Sequence, residues 1–188
     1  MRSAQPVAGL LGAKPAPAWW PKFLREWFED GVQKQAHSGA TVWIELAAPA
    51  SEIKLNTEKL LAEKGTALGL PLKIRLENQL LGSYCQVGSN AEPLQLKYTS
   101  GHSGSLQGSH GAESFNRTYR LSTMAGARLV DGTFTAPGAS GCGGLLSGLV
   151  DPLVDSIFAL PSAAGQSAAV LEGTLKDGQA EAVRESKR

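Results

Sequence analysis

The sequence has little cysteine, little charge and no long apolar run, and each shortage excludes a class of protein. Only 2 of the 188 residues are cysteine, too few for a cysteine-dense secreted module or an all-cysteine zinc site. Charged residues are 19% of the chain and the formal net charge is +1. Composition therefore gives no reason to expect nucleic acid or an anionic membrane as a partner. No stretch is long and apolar enough to predict a transmembrane helix.

The sequence also lacks the short motifs that identify common reactions. It contains no G-x-G-x-x-G, P-loop, G-x-S-x-G or H-E-x-x-H pattern. The histidines His37, His102 and His110 have no third ligand at metal-binding spacing. Asp151 and Asp155 have the i, i+4 spacing of one helix face, which a helix cap and an exposed position explain better than acid–base chemistry. We therefore expect no catalytic residue, no metal and no cofactor.

Glycine and proline are abundant, with 22 and 10 residues, which indicates short elements joined by turns. The clearest strand is 70–77, where Leu72, Ile74 and Leu76 alternate with charged residues. Further strands are predicted at 41–46, 52–55, 84–87, 94–99, 118–122, 128–135 and 168–175. This spacing predicts a mainly β domain, a sandwich or a barrel-like fold, with short helices.

Two short helical segments and one loop interrupt these strands. Residues 56–64 predict a turn or two of helix, and 145–160 carries apolar residues at helical spacing. Within the second segment Asp151 is predicted to cap a new helix, with Pro152 in its first turn. The Ser/Gly/His-rich region 99–116 predicts a mobile surface loop.

The predicted organisation has three parts: an N-terminal region at 1–39, a β-rich domain at 40–183 and a tail at 184–188. Residues 1–18 are predicted to be flexible because they show no hydrophobic periodicity. The N-terminal region also contains a segment, 19–35, with a different pattern. There, aromatic and leucine side chains recur every three or four residues and predict an amphipathic helix. They are Trp20, Phe23, Leu24, Trp27 and Phe28.

This aromatic helix has two interpretations. Its apolar face either packs on the domain as core or binds a partner or a membrane surface. Acidic residues balance Lys22 and Arg25, which weakens the membrane interpretation. The choice between core and docking surface stays open, and the five apolar residues of this face are the candidate partner-binding residues.

The two cysteines, Cys85 and Cys142, both lie in turn-rich surroundings. In an oxidising compartment an even count favours a single disulfide, whereas a cytosolic protein would keep two free thiols. A bridge across this separation would stabilise the fold by about 4 kcal/mol. Residues 1–18 contain no evident signal peptide, so localisation stays open between export and the cytoplasm.

An ordered run of motifs fills much of the remaining chain. It comprises the segment 70–90, which includes Cys85, then Leu-Val-Asp-Gly-Thr-Phe at 129–134 and Ala-Pro-Gly-Ala-Ser-Gly-Cys-Gly-Gly at 136–144. It continues with Val-Asp-Pro-Leu-Val at 150–154, Leu-Pro-Ser-Ala-Ala-Gly at 160–165 and Ala-Val-Leu-Glu-Gly-Thr-Leu at 169–175. With these motifs, residues 40–183 resemble uncharacterised secreted and cell-envelope proteins of actinobacteria. The resemblance implies export and pairs Cys85 with Cys142, but it implies no activity. The aromatic helix is a departure from that family's pattern.

These observations favour a secreted or envelope-associated, non-catalytic binding protein. Its protein partner would contact the aromatic helix or a sheet edge, although no edge can be identified from the sequence. One alternative is a structural component of the envelope or spore surface. The other is a hydrolase with scattered catalytic residues, for which His102 or His110 would have to serve as the base.

Overall fold

The computed structural model describes residues 3–7, 18, 21–23, 25–26, 40–77 and 81–178. Among these residues, strand outweighs helix, 44% against 19%, which confirms the predicted mainly β class with short helices. The described residues fall into two compact units. Unit 1 draws on 1–48, 72–94 and 136–162, and unit 2 draws on 49–71, 95–135 and 163–188. A sandwich or barrel-like packing stays a prediction, as do the domain boundaries after residues 39 and 183.

The strands are β1 (Ser3–Val7), β2 (Ala40–Leu46), β3 (Lys54–Leu55), β4 (Leu68–Glu77), β5 (Gln86–Val87), β6 (Leu94–Tyr98), β7 (His102–Ser103), β8 (Leu106–Gln107), β9 (Ala112–Asn116), β10 (Leu121–Asp131), β11 (Ala139–Ser140) and β12 (Ala169–Gly178). The α-helices are α1 (Thr57–Leu61) and α2 (Ser147–Phe158), and two 3₁₀ turns occupy Ala50–Glu52 and Gly144–Leu146. Most of the predicted strands are present, with ends that differ by a few residues.

Unit 1 contains an antiparallel sheet in the order β1-β2-β4-β5-β11, with β4 contributing from Leu72 onward. The register sets Ile44 opposite Ile74 and Ile74 opposite Val87. Because side chains alternate across a strand, these apolar residues share one face and the charged residues of β4 share the other. The alternation predicted for β4 is therefore confirmed.

The N-terminal edge of this sheet differs from the sequence expectation. Ser3–Val7 pairs antiparallel with β2, although residues 1–18 showed no strand periodicity. The segment is five residues long and contains Pro6, which cannot donate a backbone hydrogen bond. Proline is tolerated in an edge strand, and β1 occupies an edge of the described sheet.

The apolar face of the sheet packs against α2, with the disulfide between them. Cys85 and Cys142 are bonded and both are fully buried, which confirms the predicted bridge. They belong to a cluster that includes Leu76 of β4 and Val154 of α2. The covalent link thus joins the segment before β5 to the segment before α2 inside the core of unit 1.

Two carboxylates of α2 hold the segment that carries Cys142. The Asp151 carboxylate accepts hydrogen bonds from the backbone N–H of Cys142 at 2.7 Å and of Gly141 at 3.3 Å. Asp155 accepts one from the N–H of Ala139 at 2.6 Å. The predicted cap at Asp151 is therefore wrong, because α2 runs without a break through Pro152. Its carboxylate accepts hydrogen bonds from the backbone of the disulfide segment instead of capping a helix.

Unit 2 contains a three-stranded antiparallel sheet in the order β12-β10-β9. Its central strand, β10, is one continuous element of 11 residues, whereas the sequence predicted two strands at 118–122 and 128–135. Two residues of β10, Ala125 and Gly126, lie opposite Thr174 alone, which forms a β-bulge. With this bulge, β10 continues through the Ala-Gly-Ala segment at 125–127, where the sequence pattern predicted no strand.

The predicted mobile loop at 99–116 is instead regular structure. It contains a short hairpin of β7 and β8, followed by β9. Ser109 exchanges two backbone hydrogen bonds with Arg128, each 2.8 Å long. A Cβ at Gly108 would lie 2.8 Å from the backbone oxygens of Arg128 and Ser100. Glycine therefore allows two backbones to approach closely here. From composition alone, a glycine with this role looks the same as a glycine in a flexible loop.

Removing the disulfide should lower the free energy of unfolding of the protein by about 4 kcal/mol, because the unfolded chain regains the entropy of an open loop. The variant is Cys85→Ala/Cys142→Ala, and urea unfolding followed by circular dichroism measures the effect. Wild-type protein unfolded in reductant is the control and should match the variant. An unchanged unfolding midpoint in both samples would contradict this role.

Candidate functional site

The face of the unit 1 sheet opposite its core carries charged and polar side chains. Register places Glu45 opposite Lys73 and Gln86 opposite Arg75. Ser140 of β11 continues the second row beyond Gln86. Because all five positions lie on the face opposite the core, their side chains form a continuous polar surface across four strands.

An open cleft of about 380 Å³ lies on this surface. Its volume is within the range of about 300–1,000 Å³ that is usual for small-molecule sites. The lining residues are Glu45, Lys73, Arg75, Ser83, Tyr84, Gln86, Ser140 and Gly141. The cleft therefore combines sheet residues with the two residues that precede Cys85 and the one that precedes Cys142.

Two cations and one carboxylate set the charge of the cleft. Glu45 lies 3.7 Å from Lys73 Nζ and 3.6 Å from Arg75 Nη2. Lys73 Nζ also donates a hydrogen bond to Asn90 Oδ1 at 3.0 Å. Since one carboxylate faces two cations, the lining carries one surplus positive charge.

Arg75 is held from beneath by an aromatic ring. Its guanidinium carbon lies 5.6 Å from the centroid of the Trp43 ring, within the range of a cation–π contact. Trp43 is fixed in turn, because its Nε1 donates a hydrogen bond to Glu77 Oε2 at 3.0 Å. The buried Nε of Arg75 has no hydrogen-bond partner among the described residues. The Trp43 ring and the Glu45 carboxylate together therefore fix the position of the guanidinium.

Tyr84 supplies an exposed aromatic ring at the rim of the cleft, with 80% of its surface accessible. Its backbone is fixed by the disulfide at the next residue and by a close contact with Gly141. Gly141 has φ +73°, and a Cβ there would lie 2.7 Å from the Tyr84 carbonyl oxygen. The ring therefore projects from a rigid backbone.

The sequence did not identify these residues as a site. The alternation of β4 predicted a polar face but gave no reason to distinguish a binding surface from ordinary solvent exposure. The sequence shows that Tyr84 precedes Cys85. Its exposure and its proximity to Lys73 and Arg75 depend on the structure, including the register of β4 and β5. Local periodicity does not predict which strands pair or in which register.

The histidines proposed as bases for a hydrolase lie in unit 2. His102 is exposed at the start of β7. His110 Nδ1 lies 2.9 Å from Glu63 Oε1, and the His110 backbone N–H donates to the same oxygen at 3.3 Å. Neither histidine lines the cleft of unit 1. Among the residues described, no cluster of three or more metal-ligating side chains is present.

Asp131 is the most enclosed charged residue of the described structure and is fully buried in unit 2. Its carboxylate accepts hydrogen bonds from the Lys97 N–H at 2.6 Å and from the N–H and hydroxyl of Thr133 at 2.8 and 3.0 Å. Burial raises the pKa of the Tyr98 phenol, and the charge of Asp131 adds to this effect. Because backbone and hydroxyl donors satisfy the carboxylate, its role is to fix the strands around it.

The predicted aromatic helix is only partly within the described residues. Positions 22–23 and 25–26 are helical, and Phe23 is 68% exposed. Trp20, Leu24, Trp27 and Phe28, the other predicted partner-binding residues, lie outside the described residues. The partner-binding role of this helix therefore stays a prediction.

Comparison with known proteins adds no family to these observations. No family model matches the chain, and neither the curated proteins nor the solved structures contain a match. No described helix combines the length and apolar character needed to cross a membrane. Fold and site thus define the protein only as a mainly β, disulfide-bonded chain with an open polar cleft.

The Glu63–His110 contact should make stability depend on pH. The His110 side chain, followed by its backbone N–H, holds the pKa of Glu63 below the usual 4.5. A depressed carboxyl pKa stabilises the fold above 4.5, and this contribution is lost as the pH falls through the folded-state value. The melting temperature of wild type should exceed that of Glu63→Gln at neutral pH, and the difference should shrink below pH 4.5.

Thermal melts from about pH 7 to about pH 3 measure this difference. The control is Glu113→Gln, which removes an exposed carboxylate of β9. A Glu63→Gln difference that stays constant over the whole range would show that ionisation of Glu63 does not contribute to stability.

Proposed function

We propose that this chain is an exported, non-catalytic binding protein whose recognition site is the cleft of unit 1. The observation that carries the proposal is the exposed Tyr84 ring beside the Lys73 and Arg75 cations, over a cleft of about 380 Å³. An aromatic ring that stays exposed on a rigid backbone has no role in the core and is suited to stacking on a ligand.

The ligand class follows from the chemistry of the lining. The surplus positive charge of the lining, carried by Lys73 and Arg75, favours an anionic ligand such as a carboxylate. Glu45, Gln86 and Ser140 supply acceptors and donors for hydroxyl groups. We therefore propose a hydroxylated carboxylic acid, such as a uronic acid, whose ring stacks on Tyr84.

Export is supported by the disulfide and by the resemblance to actinobacterial secreted proteins. Structural disulfides persist in oxidising compartments and are rare in the cytosol. The Cys85–Cys142 bond is buried at the centre of the unit 1 core, so it belongs to the folded architecture. A protein folded in a reducing compartment would lack this contribution to its stability. The aromatic helix remains a second proposed contact, for a protein partner.

Calorimetric titration with galacturonic acid tests the ligand class, and galactose is the matched neutral sugar. The two probes share a ring and differ in the carboxylate, so wild type should bind the acid and bind galactose at least about tenfold more weakly. Tyr84→Ala and Arg75→Gln should each weaken binding of the acid about tenfold or more, through lost stacking and a lost charged hydrogen bond.

Matched controls separate the site from general surface effects. Tyr119→Ala removes another exposed tyrosine, and Arg117→Gln removes an arginine outside the cleft; both residues are in unit 2. Both should leave binding unchanged, and the melting temperature of Tyr84→Ala should equal that of wild type. Equal binding of the two sugars would show that the carboxylate is not recognised. Equal losses of binding in the control variants would show that the cleft is not the binding site.

A further inference from the structure

Strand β12 forms one edge of the three-stranded sheet of unit 2. Within the part of the chain that the structure describes, β10 is its single strand neighbour. The edge is ten residues long, and Val170 and Leu171 on it are 42% and 40% exposed. A long edge with exposed apolar side chains presents unpaired backbone groups to another chain.

The pairing of β10 determines which residues of β12 present those groups. Arg128 exchanges both backbone hydrogen bonds with Ser109, on the side of β10 away from β12. Its partner across the sheet, Glu172, is therefore in a non-hydrogen-bonded pair, with its N–H and C=O directed outward. The bulge lies in β10, so the alternation along β12 is uninterrupted. The outward positions are the even-numbered ones: Val170, Glu172, Thr174 and Lys176.

An antiparallel second copy must pair these even-numbered residues with each other, which leaves few registers. A register centred on Thr174 sets Glu172 opposite Lys176 of the second copy, and symmetry repeats the pair. A register centred on Glu172 would set two carboxylates opposite each other, and one centred on Gly173 would set Glu172 opposite threonine. Opposite charges in direct cross-strand pairs are favourable and like charges are unfavourable.

The register centred on Thr174 also extends a charge pattern that is already present. Arg128 Nε donates to Glu172 Oε1 at 2.7 Å across β10 and β12. Lys176 of the second copy would continue this row on the other side of Glu172. The carboxylate would then lie between two cations, so the signs alternate across the joined sheets.

The opposite face of the edge offers an apolar complement. A shallow depression of about 140 Å³ borders Leu171, Gly173 and Leu175. Apart from Gly173 and its two chain neighbours, no described residue has an atom within 4 Å of the Cβ position of Gly173. In the same register Leu175 of the second copy is opposite Gly173, in a non-hydrogen-bonded pair where side chains approach closely. A leucine would therefore occupy the space that the glycine leaves open.

We propose that the chain forms a symmetric dimer in which β12 pairs antiparallel with β12 of a second copy, centred on Thr174. The three-stranded sheet of each chain would become half of a continuous six-stranded sheet. This dimer is independent of the proposed ligand cleft, because all the residues that form it belong to unit 2.

Sedimentation velocity of the full chain over about 1 µM to 1 mM tests the proposal. Wild type should show a concentration-dependent monomer–dimer equilibrium. Lys176→Glu and Glu172→Lys should each weaken dimerisation at least about tenfold, because each sets like charges opposite each other twice. An equimolar mixture of the two variants should dimerise again, since every Glu then faces a Lys.

The control is Lys54→Glu, the same charge change at an exposed position of β3; it should dimerise like wild type. Circular dichroism melts confirm that each variant is folded. A wild-type chain that is monomeric throughout would overturn the proposal. So would a dimer that both β12 variants form unaltered, or a mixture that stays as weak as its components.

Discussion

The disulfide between Cys85 and Cys142 is the constraint on which the proposed site depends. It lies in the unit 1 core and ties together the two short segments that form one side of the cleft. Asp151 and Asp155 hold the second of these segments through its backbone N–H groups. Covalent and hydrogen-bonded restraints therefore converge on positions 83–86 and 139–142. An exposed ring such as Tyr84 gains a defined direction only from a backbone fixed in this way.

The alternation of strand residues separates an apolar face from a charged one in the unit 1 sheet. In unit 1 the apolar face packs on α2, and the charged face carries the cleft. In unit 2 the charged residues Glu172 and Lys176 of β12 lie along an edge, and their order decides the register of the proposed dimer. The net charge of the chain is near zero, so it indicates neither arrangement. In each, residues of opposite charge lie next to one another.

Sequence periodicity predicted the mainly β class, the two faces of β4 and the presence of β12, since these depend on local alternation. It did not predict β9 or the regular structure at 102–107, because their glycines serve close backbone approaches that resemble loop composition. The cap at Asp151 was wrong for a related reason. The carboxylate had the expected chemistry, but its partners are Gly141 and Cys142 rather than its own helix. Cleft and edge both depend on strand register, which local patterns do not encode.

The charged face of the unit 1 sheet is proposed to bind a hydroxylated carboxylic acid. The most direct measurement is the backbone amide NMR spectrum of the labelled protein during titration with galacturonic acid. Binding in the cleft should give shift changes that concentrate at residues 83–86, 140–141 and the neighbouring positions of β4, and that saturate with a single affinity. Changes confined to unit 2, or a spectrum that the acid leaves unaltered, would contradict it.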